Sequence, residues 1–214
     1  QWFGNLVTAA SWEEIWLNEA FATWMADKAS AHFNPQWQLP LRHRRQIDHA
    51  MERDGGASTR AIRSGPVRED SVFDVFDDIT YTKGGAVLGM LEQWIGEDAF
   101  RRGLAAYMKE RRLSNATAGD LWFHMGRASG SDVSGVAASW TDQKGFPLLR
   151  VDSRCEGGST WLDTRQQAFT HDGSVRSGLW QVPLVLLHDG RLQRALLTQE
   201  QQRLQLPGCP ALPT

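Results

Sequence analysis

The chain has 214 residues, of which 41% are hydrophobic and 22% charged, a composition typical of a folded globular protein rather than a disordered one. Its 23 basic and 25 acidic side chains leave a net charge of −2, which argues against a protein built to neutralise nucleic-acid phosphates or an anionic membrane. The longest apolar stretches, such as 184–187, are far shorter than the ~18 residues that cross a bilayer. We therefore expect no nucleic-acid partner and no membrane segment in this chain.

Helical periodicity of the apolar residues dominates the chain up to Pro147. Ser11, followed three residues later by Glu14, has the pattern of a capping box and predicts a helix that runs to about Ala31. A loop is expected over residues 55–72, where glycine, serine and proline are frequent. The same periodicity predicts the remaining helices, over 41–54, 74–78, 83–95, 97–111, 117–128 and 133–143.

After Pro147 the apolar residues change to the alternation that is typical of strands. Asp189-Gly190 predicts a tight two-residue hairpin, and Pro183 predicts that its strand lies at a sheet edge or a bulge. The proline-containing tail, with Pro207, Pro210 and Pro213, shows no clear pattern. Strands are predicted over 148–152, 161–169, 181–188 and 192–198.

This change at Pro147 predicts two units, a helical one over residues 1–146 and a β one over residues 147–214. Cys155 and Cys209, the only two cysteines, both fall in the second unit. Their spacing is not that of a zinc finger, and the sequence leaves open whether they form one disulfide or none.

Glu19 is the residue whose surroundings are chemically unusual. The helix that carries it is apolar nearly all round, so we expect this helix to be buried. A buried carboxylate is costly unless a cation pairs with it or it binds a metal. From the residues alone the readings stay open. Glu19 could pair with an arginine or sit at a solvent-facing gap, which are the commoner fates of a helical glutamate, or it could bind a metal.

The histidines do not provide a metal site by themselves. The motif H-E-x-x-H is absent from the sequence, as are G-x-S-x-G and a phosphate-binding glycine loop. His43 and His49 lie in an arginine-rich helix, where solvation is the simpler expectation. The other four are isolated: His32, His124, His171 and His188.

Two strings near the N-terminus resemble a known family. The strings are Gln-Trp-Phe-Gly-Asn-Leu-Val-Thr at 1–8 and Trp-Leu-Asn-Glu-Ala-Phe-Ala at 16–22. They closely resemble the gluzincin aminopeptidases of the aminopeptidase N type. In that family the first string directly follows the second histidine of H-E-x-x-H. The resemblance therefore implies that this chain is an internal piece of a longer protein, that two histidine ligands precede Gln1, and that Glu19 is the third zinc ligand.

Later segments resemble the same family in the same order. The stretch 76–85 resembles its Tyr-x-Lys-Gly segment, which implies that Tyr81 supplies a catalytic hydroxyl. Residues 140–147 resemble the segment that closes the catalytic domain, and 165–169 and 180–184 resemble the β-sandwich domain that follows. The implied fold is mainly α: the C-terminal helical part of a thermolysin-like catalytic domain, followed by the start of a small β-sandwich domain.

The implied activity is zinc-dependent removal of N-terminal residues from peptides with a free N-terminus. One Zn²⁺ would activate a water, a glutamate of the upstream motif would take its proton, and the Tyr81 hydroxyl would stabilise the oxyanion. No further cofactor is implied. The 214 residues alone are expected to be inactive, because two ligands and the general base lie outside them.

Several alternatives remain open at this stage. Tyr81 could be an ordinary half-buried aromatic, and Lys83 could be a structural ion-pair partner. The two glycines that follow Lys83 would let substrate approach closely. Asn18 and Thr23 could orient the metal ligand or only pack the helix. Ala20 replaces the glycine that most family members have. At the level of the protein, the alternatives are a non-catalytic peptide-binding or scaffolding descendant and a relative that also opens an epoxide.

Overall fold

The computed structural model describes residues 2–63 and 65–209. Short turns of 3₁₀ helix occur at Trp12–Glu14, Pro35–Trp37 and Glu69–Val75, and a π-helical turn, Ile79–Lys83, leads directly into the third α-helix. None of the helices in these ranges combines the length and the apolar character needed to cross a membrane. The α-helices of the described part are α1 (Ile15–Phe33), α2 (Leu39–Asp54), α3 (Gly84–Ile95), α4 (Glu97–Glu110), α5 (Ala118–Ser129) and α6 (Val133–Thr141).

The strands form three small sheets. The first two strands, β1 (Val7–Ala9) and β2 (Ser114–Ala116), pair in parallel within the helical part. In the β part, three antiparallel strands lie in the order β3-β4-β7, and a hairpin of two strands, β5 and β6, forms the third sheet. Their bounds are β3 (Pro147–Glu156), β4 (Ser159–Ala168), β5 (Val182–His188), β6 (Arg191–Leu197) and β7 (Gln201–Pro207).

The predicted capping box at Ser11 is wrong. The Ser11 side chain makes no capping hydrogen bond at the start of the helix. The buried carboxylate of Glu14 instead accepts a hydrogen bond from the Ala118 amide at 3.1 Å and pairs with Arg63 at 3.3 Å. A true capping box starts α5, where the side chains of Thr117 and Asp120 each accept from the other's backbone amide. Glu14 therefore ties the start of α1 to the start of α5.

The β part confirms the predicted hairpin and corrects the tail. Asp189 and Gly190 both have positive φ, +49° and +70°, as a tight hairpin with primed turn geometry requires. Pro183 lies on β5, which pairs only with β6 among the described residues, so its strand is an edge as expected. Strand β7 was not predicted, and Pro210 and Pro213 lie outside the described residues.

Cys155 at the end of β3 and Cys209 just after β7 form a disulfide. Of the two outcomes that the sequence left open, the structure therefore has the bridge. It links the two outer strands of the three-stranded sheet, and so closes the end of the described chain onto that sheet.

The core of the helical part is built around α1. Trp16, Leu17 and Phe21 are almost completely buried against α3, α4 and α5. The expectation that α1 is buried all round is wrong, however, because Ala22 and Ala26 are solvent-exposed. A second, smaller cluster surrounds Trp180 and includes Trp140 of α6, so it joins the helical part to the two β-sheets.

Helices α1 and α3 cross at very close range at Ala20 and Gly84. A Cβ atom added to Gly84 would lie 2.8 Å from the Cβ atom of Ala20, which is closer than two such atoms approach. Gly85 likewise faces the backbone carbonyl of Ala20. The expectation that these glycines leave room for substrate is therefore wrong, because α1 occupies the space.

We expect Gly84→Ala to destabilise the chain by about 1–3 kcal/mol, the usual cost of overpacking a core. Gly89→Ala is the matched control: it lies on the same helix, where the nearest atoms to an added Cβ are 3.9 Å away, and should be neutral or stabilising. Adding Ala20→Gly to Gly84→Ala should restore most of the loss. Urea denaturation measures these four proteins and Ala20→Gly alone, and additive losses in the double variant would contradict the crossing contact.

Candidate metal and catalytic site

Glu19 lies in the second turn of α1 and its side chain is half-buried. Among the described residues no lysine, arginine or histidine forms an ion pair with its carboxylate, whereas the buried carboxylate of Glu14 pairs with Arg63. The arginine salt bridge, one of the commoner fates that the sequence offers for Glu19, is thus absent from the described part of the chain. The Glu19 carboxylate lies beside the crossing of α1 and α3 with no cationic partner among the described residues.

Tyr81 lies in the π-helical turn, which packs against α1 beside Glu19. The pKa of Tyr81 is raised, first by partial burial and then by interaction with the nearby Glu19 carboxylate. Both effects favour the protonated phenol. π-Helical turns are rare and often found at functional sites, because the extra residue per turn re-aims a side chain. The two residues singled out from the sequence therefore lie together.

Arg60 and Asp77 fix the start of this π-helical turn. The Asp77 carboxylate accepts from the backbone amides of Ile79 and Thr80, at 3.1 and 3.2 Å, and is held in turn by the Arg60 guanidinium. Arg60 also donates to the Thr80 hydroxyl at 2.8 Å and to the Val75 carbonyl at 3.1 Å. Neither residue is among the site residues expected from the sequence. An aspartate just before a helix is a recognisable signal, but nothing in the sequence pattern identifies Arg60.

Lys83 fixes the other end of the turn through a buried ion pair. Its ammonium group lies 2.8 Å from the Asp54 carboxylate at the end of α2 and donates to the Gly145 carbonyl at 2.9 Å. Burial lowers the pKa of Lys83, the neighbouring Asp54 opposes that shift, and the positive charges of Arg60 and Arg176 add to it. Of the two readings of Lys83, the contacts match the structural ion-pair partner.

The two polar neighbours of Glu19 do not touch its carboxylate. The Thr23 hydroxyl donates to the backbone carbonyl of Glu19 at 2.9 Å, an interaction within the helix. Asn18 lies beside Gly4 at the N-terminal end of the described chain. Within the described ranges, neither residue orients the proposed ligand oxygen.

The described residues contain no group of three or more His, Cys, Asp or Glu side chains that could hold a metal ion. Several histidines have other partners: His171 contacts the Glu52 carbonyl, His188 the Pro207 carbonyl, and His124 the Glu110 carboxylate. Within these ranges Glu19 is thus a single candidate ligand. It could bind a metal only as part of a set completed by residues outside the described chain.

Comparison with known proteins agrees with the sequence resemblance. The family model described as the peptidase family M1 domain matches residues 1–140. The leucyl aminopeptidase of Saccharolobus solfataricus is 37% identical over 205 residues, which cover 95% of this chain and 26% of that protein. Aminopeptidase M1-D of Oryza sativa subsp. japonica is 37% identical over 186 residues, 87% of this chain and 21% of that protein.

A third relative, mitochondrial aminopeptidase 2 of Saccharomyces cerevisiae, is 37% identical over 177 residues, 82% of this chain and 18% of that protein. The chain thus spans about a quarter or less of the length of these relatives. The family model covers well over half of the chain, and the matched region contains both Glu19 and Tyr81. The resemblance read from the sequence strings is confirmed: this chain belongs to peptidase family M1.

Proposed function

We propose that this chain contributes a zinc ligand, Glu19, and a hydrogen-bond donor to the oxyanion, Tyr81, to a zinc-dependent aminopeptidase that acts on peptides with a free N-terminus. The observation that carries the proposal is that the π-helical turn with Tyr81 packs against α1 beside Glu19, although the two residues are distant in the sequence. The relatives named as aminopeptidases support the reaction class.

The donor set of this chain fits zinc in part. A carboxylate oxygen is a normal zinc ligand, and Glu19 offers one with no competing cation among the described residues. The family resemblance implies two histidine ligands before Gln1, which would complete a set of three and leave one position open. When bound, zinc supplies polarisation of the scissile carbonyl and activation of the attacking water.

The role proposed for Tyr81 follows from its own chemistry. Its raised pKa keeps the phenol protonated at neutral pH, so it is a hydrogen-bond donor to the oxyanion that develops on the scissile carbonyl. The hydroxyl has a single hydrogen, and it can therefore serve either Glu19 or a substrate oxygen at one time. The π-helical turn would be held rigid by Arg60, Asp77 and Lys83 while the hydroxyl hydrogen changes from one acceptor to the other.

We also propose the domain division expected from the sequence. The helices end at Thr141 and the first long strand begins at Pro147, which supports a helical unit over 1–146, as part of a thermolysin-like catalytic domain, and a β-sandwich unit starting at 147. With one zinc ligand and no general base of its own, the chain by itself would be inactive.

Glu19→Gln in the full-length protein should lower zinc content and activity together. The neutral amide is a much poorer ligand, so we expect zinc affinity to fall by more than the roughly 10–100-fold that loss of an outer-shell partner costs. Glu52→Gln, an exposed carboxylate on α2, is the control and should retain stoichiometric zinc. Metal analysis by mass spectrometry decides the matter: full zinc occupancy in Glu19→Gln would remove Glu19 from the ligand set. A wild-type protein without zinc would favour the non-catalytic peptide-binding alternative.

Tyr81→Phe should lower kcat by roughly 10²–10³ while zinc content and KM change little, because a donor used mainly in the transition state is lost. The control is Tyr107→Phe, which removes the only other phenolic hydroxyl of the chain from the buried core and should leave kcat within about twofold. Steady-state kinetics on an aminoacyl p-nitroanilide measures both. Equal effects of the two substitutions would contradict the role of Tyr81.

The contact between Tyr81 and Glu19 also predicts a titration shift. In the metal-free chain, Glu19→Gln should move the ionisation of Tyr81 to lower pH, because the negative charge that disfavours the phenolate is removed and the amide NH2 can donate to the phenolate. Ultraviolet difference spectra follow phenolate formation, and Tyr81→Phe identifies which transition belongs to Tyr81, since burial also raises the pKa of Tyr107. An unchanged Tyr81 transition in Glu19→Gln would show that the two side chains do not interact.

A further inference from the structure

A groove runs beside α2 and reaches the segment that carries Tyr81. Its volume is about 600 Å³, within the range of pockets that bind small ligands and peptides. Its far end is bordered by Trp37 and Leu41, two large side chains that are more than half exposed. The ionisable side chains that line it are Arg42, Arg45 and His49 of α2 on one side and Asp78 on the other.

The basic side chains of the groove form a stripe along α2. Positions 42, 45 and 49 follow the spacing that places side chains on one face of a helix. At about 1.5 Å per residue they extend over roughly 10 Å, which matches about three residues of an extended peptide. The stripe can therefore contact several successive side chains of a peptide rather than a single terminal group.

The charges in the groove are not balanced. Asp78 is already paired with Arg53 at 2.9 Å, and Arg44, on another face of α2, is paired with Asp48 at 2.9 Å. Arg42 and Arg45, in contrast, have no acidic partner among the side chains that the structure describes, which leave out that of Glu69, and both are exposed. The groove thus carries two uncompensated guanidinium groups, which attract carboxylates.

The position of the groove decides which part of a peptide it can hold. Asp78 and Thr82, which lie on either side of Tyr81 in the sequence, line the groove, so it borders the segment that carries Tyr81. A substrate of an aminopeptidase has only one residue before the bond that is cut. A groove with room for about three residues can therefore hold only the part of the peptide after that bond.

We propose that this groove binds the residues on the C-terminal side of the scissile bond, and that Arg42 and Arg45 select peptides with acidic side chains there. The inference rests on the proposed aminopeptidase function and adds a substrate class to it. Because guanidinium–carboxylate pairs at an exposed site are individually weak, the selection is a preference in kcat/KM rather than an absolute requirement.

The test uses the full-length protein and two peptides that differ only in charge. Both begin with the residue X whose p-nitroanilide is cleaved fastest; one is X-Ala-Glu-Glu-Ala amide and the other X-Ala-Gln-Gln-Ala amide. The C-terminal amide removes the terminal carboxylate from consideration. We expect kcat/KM to be roughly three- to tenfold higher for the acidic peptide, and this ratio to shrink at high salt.

Arg42→Gln combined with Arg45→Gln should reduce the ratio to about one while kcat/KM on X-p-nitroanilide, which has no residue to place in the groove, is unchanged. Arg44→Gln is the matched control on the same helix and should keep the ratio. Arg42→Glu combined with Arg45→Glu should reverse the preference in favour of the corresponding lysine peptide. An acidic preference that survives in the double glutamine variant, or its absence in the wild type, would overturn the proposal.

A binding measurement keeps this test separate from that of the proposed function. A fluorescently labelled, N-acetylated acidic peptide cannot be cleaved by an aminopeptidase, yet it should bind the wild type more tightly than the double glutamine variant by a similar three- to tenfold factor in fluorescence anisotropy. If X-p-nitroanilide is not hydrolysed but this difference is found, the aminopeptidase proposal fails and the groove remains an acidic-peptide site. Equal binding by both proteins would overturn the proposal that the groove binds acidic peptides.

Discussion

The candidate site depends on the close crossing of α1 and α3 at Ala20 and Gly84. Side chains that project from neighbouring turns of two helices can meet only if the helix axes approach closely, and here the absence of a side chain at Gly84 makes that possible. Glycine in a helix costs about 1 kcal/mol relative to alanine. The glycine lies at the crossing that brings Glu19 of α1 close to Tyr81, which is one turn before Gly84.

The π-helical turn that carries Tyr81 is held at both ends by charged groups. Asp77 accepts hydrogen bonds from its first amides and is held by Arg60. Lys83, its last residue, forms a buried ion pair with Asp54. A buried ion pair contributes little net stability, because desolvation offsets much of the attraction, but it fixes geometry since breaking it would leave a charge unpaired. Gly145 also binds both members of this pair, so the turn is tied to the segment that leads into the β part. The orientation of Tyr81 is thus coupled to the junction of the two parts of the chain.

Much of this arrangement could be predicted from the sequence, because it depends on local patterns. Apolar periodicity gave the long helices to within a few residues, and Asp189-Gly190 gave the hairpin, because both signals act over short stretches. The predictions that were wrong or absent involve distant partners. Glu14 looked like a local cap but bonds to Ala118, and β7 is a strand only because β4 offers a partner to an otherwise polar segment.

The same distinction applies to the site. The sequence strings identified Glu19 and Tyr81 as candidates, but neither the distance between them nor the role of Arg60 can be obtained from spacing along the chain. The close crossing was also hidden, because Ala20 and Gly84 each look unremarkable until the two helices are brought together. Side-chain contacts between remote segments are set by tertiary packing, and a single sequence carries no direct record of them.

The central claim is that Glu19 and Tyr81 face one zinc ion in the full-length protein. Anomalous diffraction at the zinc absorption edge, from crystals of that protein, tests it most directly. We predict a single strong anomalous peak within bonding distance of a Glu19 carboxylate oxygen, with the Tyr81 hydroxyl facing the side of the ion left open for substrate. A zinc peak bound by other residues, with Glu19 turned away from it, would contradict the account.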